Sequence, residues 1–147
     1  MKSVFEQSAR EELVSRINLL NENSTAQWGK MTLYQMLKHC VLAEESYLGK
    51  KLYKRKFLGY IFGKMGLKNL LDEKKPFPRN AKTSSDFIVT DSGDFEPQRE
   101  KWIALINEYG NLSNHSIVHW FFGKMNQDEV GRFSYKHADH HLRQFGV

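Results

Sequence analysis

The amino-acid sequence predicts an all-α protein, an up-and-down four-helix bundle, and three observations support this. Apolar residues recur every three or four positions in several stretches, which is typical of helices packed on one side. Two stretches match the capping box that starts a helix. The length of 147 residues suits a single core, so we expect residues 1–147 to form one domain.

The first two helices are predicted from this apolar spacing. The first covers about residues 4 to 21, and its stripe comprises Phe5, Ala9, Leu13, Ile17 and Leu20. The second runs from Thr32, which forms a capping box with Gln35, to about Gly49. Apolar residues cover much of its circumference, so we expect it to be well buried.

A longer, decorated connection is predicted between the second and third helices. Its first part, Lys50 to Lys75, mixes apolar and basic residues with three glycines, so we expect short helical pieces there. Its second part is rich in turn formers, and a short strand at "DFIVT" is an alternative.

The last two helices are predicted from their capping signals. The third begins at Asp94, whose carboxylate can cap it, with Pro97 in its first turn, and Gly110 suits the left-handed residue just past its end. An aromatic-rich connection, "NLSNHSIVHWFFGKM", follows it. The fourth begins at Asn126, which forms the second capping box with Glu129, and it carries the terminal histidines.

Composition excludes several classes of protein. Hydrophobic residues make up 40% of the chain and aromatic residues 13%, so a packed core is expected rather than disorder. No stretch has the length and apolar character of a membrane span or a signal peptide, so we expect a cytoplasmic protein. Cys40 is the single cysteine, which rules out an intramolecular disulfide and fits a reducing compartment.

The formal charge of +5 is concentrated between Lys50 and Lys75. Such a patch can bind phosphate backbones or anionic headgroups, although a run of charges is usually a solvated face. No nucleic-acid-binding motif accompanies it, so nucleic acid is not an expected partner. We expect the apolar residues within it to pack over the bundle or against a second subunit of a homodimer; these are Phe57, Ile61, Phe62 and Met65.

Three of the six histidines lie in the terminal stretch "YKHADHHLRQFGV". Residues four apart in a helix lie one turn apart on one face, so His137 and His141 can bind one metal ion together. His140 points elsewhere. A third ligand must come from another element, and His39 is the best candidate because the second helix is the most apolar; His115 and His119 are second choices.

The spacing alone leaves less specific interpretations of the histidine pair open. A His–x–x–x–His pair also occurs in helices whose histidines are merely solvated or hydrogen-bonded in the core. No His–Glu–x–x–His motif is present, Asp139 points away from the pair, and Cys40 fits a small buried hydrophobe. Gln35 and Gln144 lie where they could hydrogen-bond metal-bound histidines.

Three blocks of the chain together resemble the DinB/YfiT-like metalloenzyme superfamily, in a branch of unknown function. They are "WGKMTLYQMLKHC" at 28–40, "PRNAKTSSDFIVTDSGDF" at 78–95 and "HWFFGKMNQDEVGRFSYKHADHHLRQFG" at 119–146. The resemblance implies a four-helix bundle whose metal ligands are one histidine on the second helix and a His–x–x–x–His pair on the fourth. These positions are His39, His137 and His141.

The resemblance also implies roles for neighbouring residues. The superfamily often has His–His–Arg–Gly–Gln around the second ligand of the fourth helix, whereas this chain has "HHLRQ", which keeps His140, His141 and Gln144. His119 lies in a block that resembles a recurrent one of this branch, which makes it a candidate pocket residue.

Three functions are compatible with such a site. Three neutral imidazoles suit zinc, nickel, iron or copper, and we expect zinc or nickel. With an open coordination position, the first expectation is a hydrolase of a small molecule. The resemblance also implies a metal-dependent thiol S-transferase as an alternative. The third function is that of a non-catalytic stress or binding protein in which the metal joins two helices.

Overall fold

The chain forms five α-helices and one two-stranded antiparallel sheet in the computed structural model, which describes all residues from 1 to 147. The helices are α1 (Gln7–Ile17), α2 (Leu33–Tyr47), α3 (Phe57–Leu70), α4 (Glu96–Glu108) and α5 (Gln127–Gln144). Strands β1 (Ile117–His119) and β2 (Gly123–Met125) lie between α4 and α5. None of the helices combines the length and apolar character needed to cross a bilayer.

The prediction of an all-α four-helix bundle is wrong, because the chain has a fifth helix and a sheet. The segment expected to form short helical pieces is one continuous helix, α3. Its glycines, which lower helix propensity, allow close packing instead: a Cβ at Gly59 or Gly63 would lie 2.4 or 2.3 Å from the carbonyl oxygen of Phe121.

The aromatic-rich stretch expected to be a loop folds into a β-hairpin. Ile117 pairs with Met125 and His119 with Gly123. Gly123 has a φ of +76°, which a residue with a side chain rarely adopts, and this permits the tight reversal. Strands of three residues are too short for their alternation to be recognised in the sequence.

Other boundaries also differ from the predictions. The first helix is shorter than expected because the chain before it packs on α5, with the Val4 N–H donating to the Gly131 carbonyl at 3.2 Å. The "DFIVT" stretch contains a 3₁₀ turn at Ser85–Phe87 and no strand. Gly110 lies inside a second 3₁₀ turn, Tyr109–Asn111, rather than in the left-handed conformation.

Both predicted capping boxes are confirmed. The Thr32 hydroxyl accepts from the Gln35 N–H at 3.2 Å, and Asn126 and Glu129 make the equivalent pair at the start of α5. These caps fix the first residues of α2 and α5, and therefore the phase in which each helix presents its histidines.

Four helices enclose the main core. α1 contacts α4 and α5, and α2 contacts the same two helices. Large side chains fill the space between them, and Trp102, Leu13 and Met36 are fully buried. α3 lies outside this group and contacts β2.

One carboxyl group is buried inside this core. Glu44 of α2 is 1% exposed and accepts hydrogen bonds from the Tyr109 hydroxyl at 2.6 Å and the Ser134 hydroxyl at 2.9 Å. Burial raises the pKa of Glu44 to about 7, although these two hydrogen bonds oppose the shift. The group therefore changes charge near neutral pH while linking α2 to α5 and to the 3₁₀ turn that follows α4.

We predict that the free energy of unfolding falls as pH rises, because Glu44 loses its proton at a higher pH in the folded protein than in the unfolded chain. In the unfolded chain the carboxyl loses its proton near its ordinary pKa of 4.5, whereas the folded protein holds it until about pH 7. The folded state therefore binds more protons between these values, so the free energy of unfolding declines across this window by about 3 kcal/mol. The free energy of unfolding of Glu44→Gln, measured with urea at pH 5 and pH 8, should not show this decline.

Glu45→Gln is the matched control. Glu45 is the next residue of α2 and pairs with Lys101 at the surface at 2.6 Å. This variant should keep the decline, and an equal pH dependence in Glu44→Gln and the unmodified protein would contradict the assignment.

Candidate metal centre

Helix α2 carries His39, and a hydrogen bond defines which nitrogen of its ring is protonated. The side chain is 8% exposed, and its Nδ1 lies 2.9 Å from the carbonyl oxygen of Phe87. A carbonyl oxygen only accepts, so Nδ1 carries the proton and Nε2 keeps its lone pair. The 3₁₀ turn at Ser85–Phe87 thereby orients the imidazole.

Helix α5 positions His137 and His141 one turn apart on its buried face. Nδ1 of His141 lies 2.9 Å from Oε1 of Gln144, whose amide nitrogen donates to the Trp28 carbonyl at 2.8 Å. That second bond fixes the amide orientation, so Nδ1 of His141 is the donor and its Nε2 has the free lone pair.

The three imidazoles converge on one point. Nε2 of His39 lies 3.2 Å from Nε2 of His137, and one ring nitrogen from each of His39, His137 and His141 falls within 4.8 Å of the others. Two nitrogens bound to one tetrahedral zinc ion are about 3.3 Å apart, given Zn–N distances of about 2.0–2.1 Å. This buried group can hold a metal ion.

The electrostatic environment keeps these histidines neutral. Burial lowers the pKa of His39, and it lowers that of His141 to about 3. Burial, together with the neighbouring imidazoles, lowers the pKa of His137 well below its ordinary value. Neutral imidazole is the form that binds metal, so the lone pairs are available at pH 7.

His137 supplies a further sign that a ligand belongs here. Its Nδ1 is buried and has no hydrogen-bond partner. Its Nε2 faces Nε2 of His39, whose proton is committed to the other ring nitrogen. With its proton on Nδ1, His137 would present a lone pair beside that of His39, and a bound ion would satisfy both, which fits the chemistry of this donor set.

The histidine cluster forms part of the wall of a cavity of about 570 Å³. Eight aromatic side chains line it: Trp28, Tyr47, Phe77, Phe87, Trp120, Phe121, Phe122 and Phe133. Lys30 and Lys82 are its only cationic lysine or arginine residues, and no aspartate or glutamate lines it. A small molecule in this cavity would lie beside the three ligands.

His119 lines the same cavity from the end of β1 and is 3% exposed. Its Nδ1 accepts two backbone hydrogen bonds, from Phe121 at 3.1 Å and Phe122 at 3.2 Å, so the proton is on Nε2. Burial lowers the pKa of His119 to about 3, and no protein group accepts from Nε2. The residue therefore offers a neutral N–H donor.

The remaining predicted residues lie in different places. His140 lines the cavity between Trp28 and Phe77, with ring centroids 5.8 and 4.9 Å away. Gln35 does not reach the cluster, because its side chain closes the capping box and bonds the Asp91 carbonyl. His115 also lies apart, with Nε2 donating to the Tyr47 carbonyl at 2.7 Å.

A family model described as "Protein of unknown function (DUF1569)" matches residues 3–146. The chain belongs to the DUF1569 family. No curated protein matches the chain, and no solved structure matches it either.

In this DUF1569 chain, sequence reasoning missed one feature of the site and one of the core beside it. The Phe87 carbonyl that orients His39 is a backbone group in an irregular turn, and nothing in the sequence marks it. Glu44 did carry a signal, because it is an acidic residue within the most apolar helix, between Cys40 and Tyr47. A charged residue in such a place needs buried partners.

We predict that the purified protein binds about one divalent transition metal ion per chain. His141→Ala removes one of three ligands and should abolish stoichiometric binding, measured by elemental analysis after gel filtration. His115→Gln is the matched control and should keep the metal, because His115 lies outside the cluster. Unmodified protein that takes up no zinc or nickel, or His141→Ala with full occupancy, would contradict the site.

Proposed function

We propose that the protein is a metal-dependent hydrolase of a small molecule, with zinc or nickel held by His39, His137 and His141. The observation that carries this proposal is that the three ligands form part of the wall of a cavity rather than a sealed core. An ion with three protein ligands would supply Lewis acidity and lower the pKa of water at an open position.

The cavity lining supports a particular class of substrate. Its aromatic walls favour a molecule with an apolar or aromatic portion. Lys30 and Lys82 at its edge, without any carboxylate, favour a neutral or anionic molecule over a cation. Esters, amides and phosphoesters with an aromatic group meet both requirements.

His119 is suited to bind the substrate's reacting oxygen. Its Nδ1 is occupied by two backbone N–H groups, so only the Nε2–H can interact with a ligand. The ring is held between Phe122, with centroids 4.6 Å apart, and Tyr47 at 6.0 Å. A fixed neutral donor of this kind stabilises negative charge that develops on a carbonyl or phosphoryl oxygen.

His140 is suited to accept a proton from the attacking water molecule. It lines the cavity, its ring centroid is 5.1 Å from that of His141, and no protein group hydrogen-bonds its ring. Burial lowers its pKa, so the ring is neutral and able to accept a proton at pH 7. Cys40 is no alternative nucleophile, because it is 1% exposed and its thiol faces Met36.

We also propose kinship with the DinB/YfiT-like superfamily. One histidine on α2 and a His–x–x–x–His pair on α5 follow that superfamily's ligand pattern, and the pair and its partner are close in space. Gln144 beside His141 follows the "HHLRQ" block of the resemblance.

A purely structural metal is the less favoured role. α2 and α5 are already joined by the hydrogen bonds between Glu44 and Ser134, at 2.9 Å, and by a shared apolar core. The helices therefore have contacts that hold them together without an ion.

The proposed function predicts metal-dependent turnover without metal-dependent folding. Protein stripped with a chelator should keep its helical circular dichroism spectrum and its cooperative melting, while hydrolysis of aromatic ester, amide or phosphoester substrates falls to background and returns on adding zinc or nickel. Saturating metal should raise the melting temperature by the modest amount that ligand binding gives.

Two results would contradict this function. Loss of helical structure on chelation would indicate a structural metal. Turnover of thiol-transfer substrates, but of no ester, amide or phosphoester, by the metal-loaded protein would replace the hydrolase with the thiol S-transferase alternative.

His119 provides a separate prediction. His119→Phe keeps the ring's packing but removes the donor, so kcat/KM should fall about 10²-fold with metal content unchanged. His119→Gln keeps an N–H donor and should retain more of the activity. Equal kcat/KM in His119→Phe and the unmodified protein would show that this donor does not contact the substrate.

A further inference from the structure

Helix α3 packs against the rest of the protein by one face only. Gly59 and Gly63 lie against the backbone of Phe121, and Leu67, one turn later, is 1% exposed. The glycines bring the helix so close that its inward side has little side-chain volume to bury. Six large apolar residues of α3 lie on its outward side.

The outward face of α3 is a concentrated apolar patch. We call it the α3 patch, and its members are Phe57 (76% exposed), Leu58 (60%), Tyr60 (64%), Ile61 (60%), Phe62 (47%) and Met65 (66%). These are six of the eleven large exposed hydrophobic residues of the whole chain. Contiguous apolar surface of this kind marks a contact with another molecule or a membrane.

The segment that contains the α3 patch carries only positively charged side chains. Residues 50–68 contain seven lysine or arginine residues and no aspartate or glutamate. Lys50, Lys56 and Lys64 lie within 4 Å of acidic side chains from other segments, whereas Lys51, Lys54 and Lys68 have no acidic partner. Apolar side chains beside unpaired lysines are the composition of helices that bind anionic bilayers at the interface.

Other occupants fit this surface less well. A second copy of the chain would bring two lysine-rich borders together, and the next acidic residues along the chain are already paired: Asp72 with Lys75 at 3.6 Å and Glu73 with the N-terminal ammonium group. A nucleic-acid backbone would neutralise the lysines but leave the apolar side chains uncovered.

We propose that α3 docks the protein on an anionic phospholipid surface, with the α3 patch among the acyl chains and the lysines at the headgroups. Fourteen residues give a helix about 21 Å long, which is shorter than the hydrocarbon thickness of about 30 Å. The helix therefore lies in the plane of the interface.

This orientation also places the cavity near the lipid. Gly66, Asn69 and Leu70 of α3 line the cavity on the inward side of the same helix. A docked α3 would separate the cavity from the bilayer by about one helix diameter, roughly 10 Å. Docking does not depend on the proposed hydrolysis, because it uses none of the histidines.

Co-sedimentation of the full chain with phospholipid vesicles tests the proposal. Vesicles of phosphatidylcholine alone are compared with vesicles containing 30 mol% phosphatidylglycerol, at ~0.1 M and ~0.5 M salt. We expect binding to the anionic vesicles that weakens severalfold at the higher salt, and little binding to the neutral vesicles.

Matched variants separate the α3 patch from apolar surface in general. Ile61→Ser should weaken vesicle binding severalfold and Ile61→Ser/Met65→Ser about tenfold or more, because the lost side chains would be buried in lipid. Leu19→Ser is the control, since Leu19 is 61% exposed but lies beyond the end of α1. Circular dichroism checks that each variant folds.

Three results would overturn the proposal. They are absence of binding to anionic vesicles, equal binding to neutral and anionic vesicles, and an equal effect of Leu19→Ser and Ile61→Ser. Sedimentation velocity gives an independent test: a dimer that Ile61→Ser/Met65→Ser dissociates, in protein that binds no vesicles, would assign the α3 patch to a second copy instead.

Discussion

The packing of α5 against α2 is the contact on which both buried polar clusters depend. It brings His137 beside His39, 98 positions away in the chain, and Ser134 beside Glu44, 90 positions away. Neither cluster can form within one helix. The capping boxes at Thr32 and Asn126 set where the two helices begin, so a slip of one residue in either would turn the polar side chains away from each other by about 100°.

The buried polar side chains of the two clusters are stabilised in different ways. The imidazoles are kept neutral by burial, and the proton of His39 or His141 is held by an oxygen outside the cluster. Glu44 instead has two hydroxyl donors and a pKa of about 7. No carboxylate lines the cavity, and burial outweighs the hydrogen bonds from Phe87 and Gln144 that would favour an imidazolium ion, so the ring nitrogens keep the lone pairs that a cation requires.

The sequence predicts those parts of the molecule that rest on local periodicity. Helices α2 and α5 and their caps follow from short-range patterns, and the His–x–x–x–His spacing identifies one face of α5. The grouping of His39 with His137 and His141 also agrees with the prediction from helix burial, since the structure places them together. Gln144 contacts His141 as its three-residue spacing suggests, whereas Gln35 serves the cap because a competing local hydrogen bond is available.

What the sequence could not predict depends on contacts between distant segments. Gly59 and Gly63 lower helix propensity when α3 is considered alone, but in the folded protein they permit the approach to Phe121 that stabilises it. The hairpin is recognisable only once β1 and β2 are paired, and the Phe87 carbonyl acts through a position in space rather than through its side chain. Long-range packing overrides local preference in each case.

The elements that the four-helix prediction lacks are the ones that turn a histidine cluster into an enclosed site. Phe121 and Phe122 from the hairpin and Gly66 from α3 line the same cavity as the ligands on α2 and α5. A methyl group at Gly63 would lie 2.3 Å from the Phe121 carbonyl oxygen, so the backbone contact that holds this wall tolerates no side chain. Because Gly59 and Gly63 must face Phe121, the six large apolar residues on the other side of α3 face outward, so the wall of the cavity and the exposed α3 patch both follow from one packing constraint.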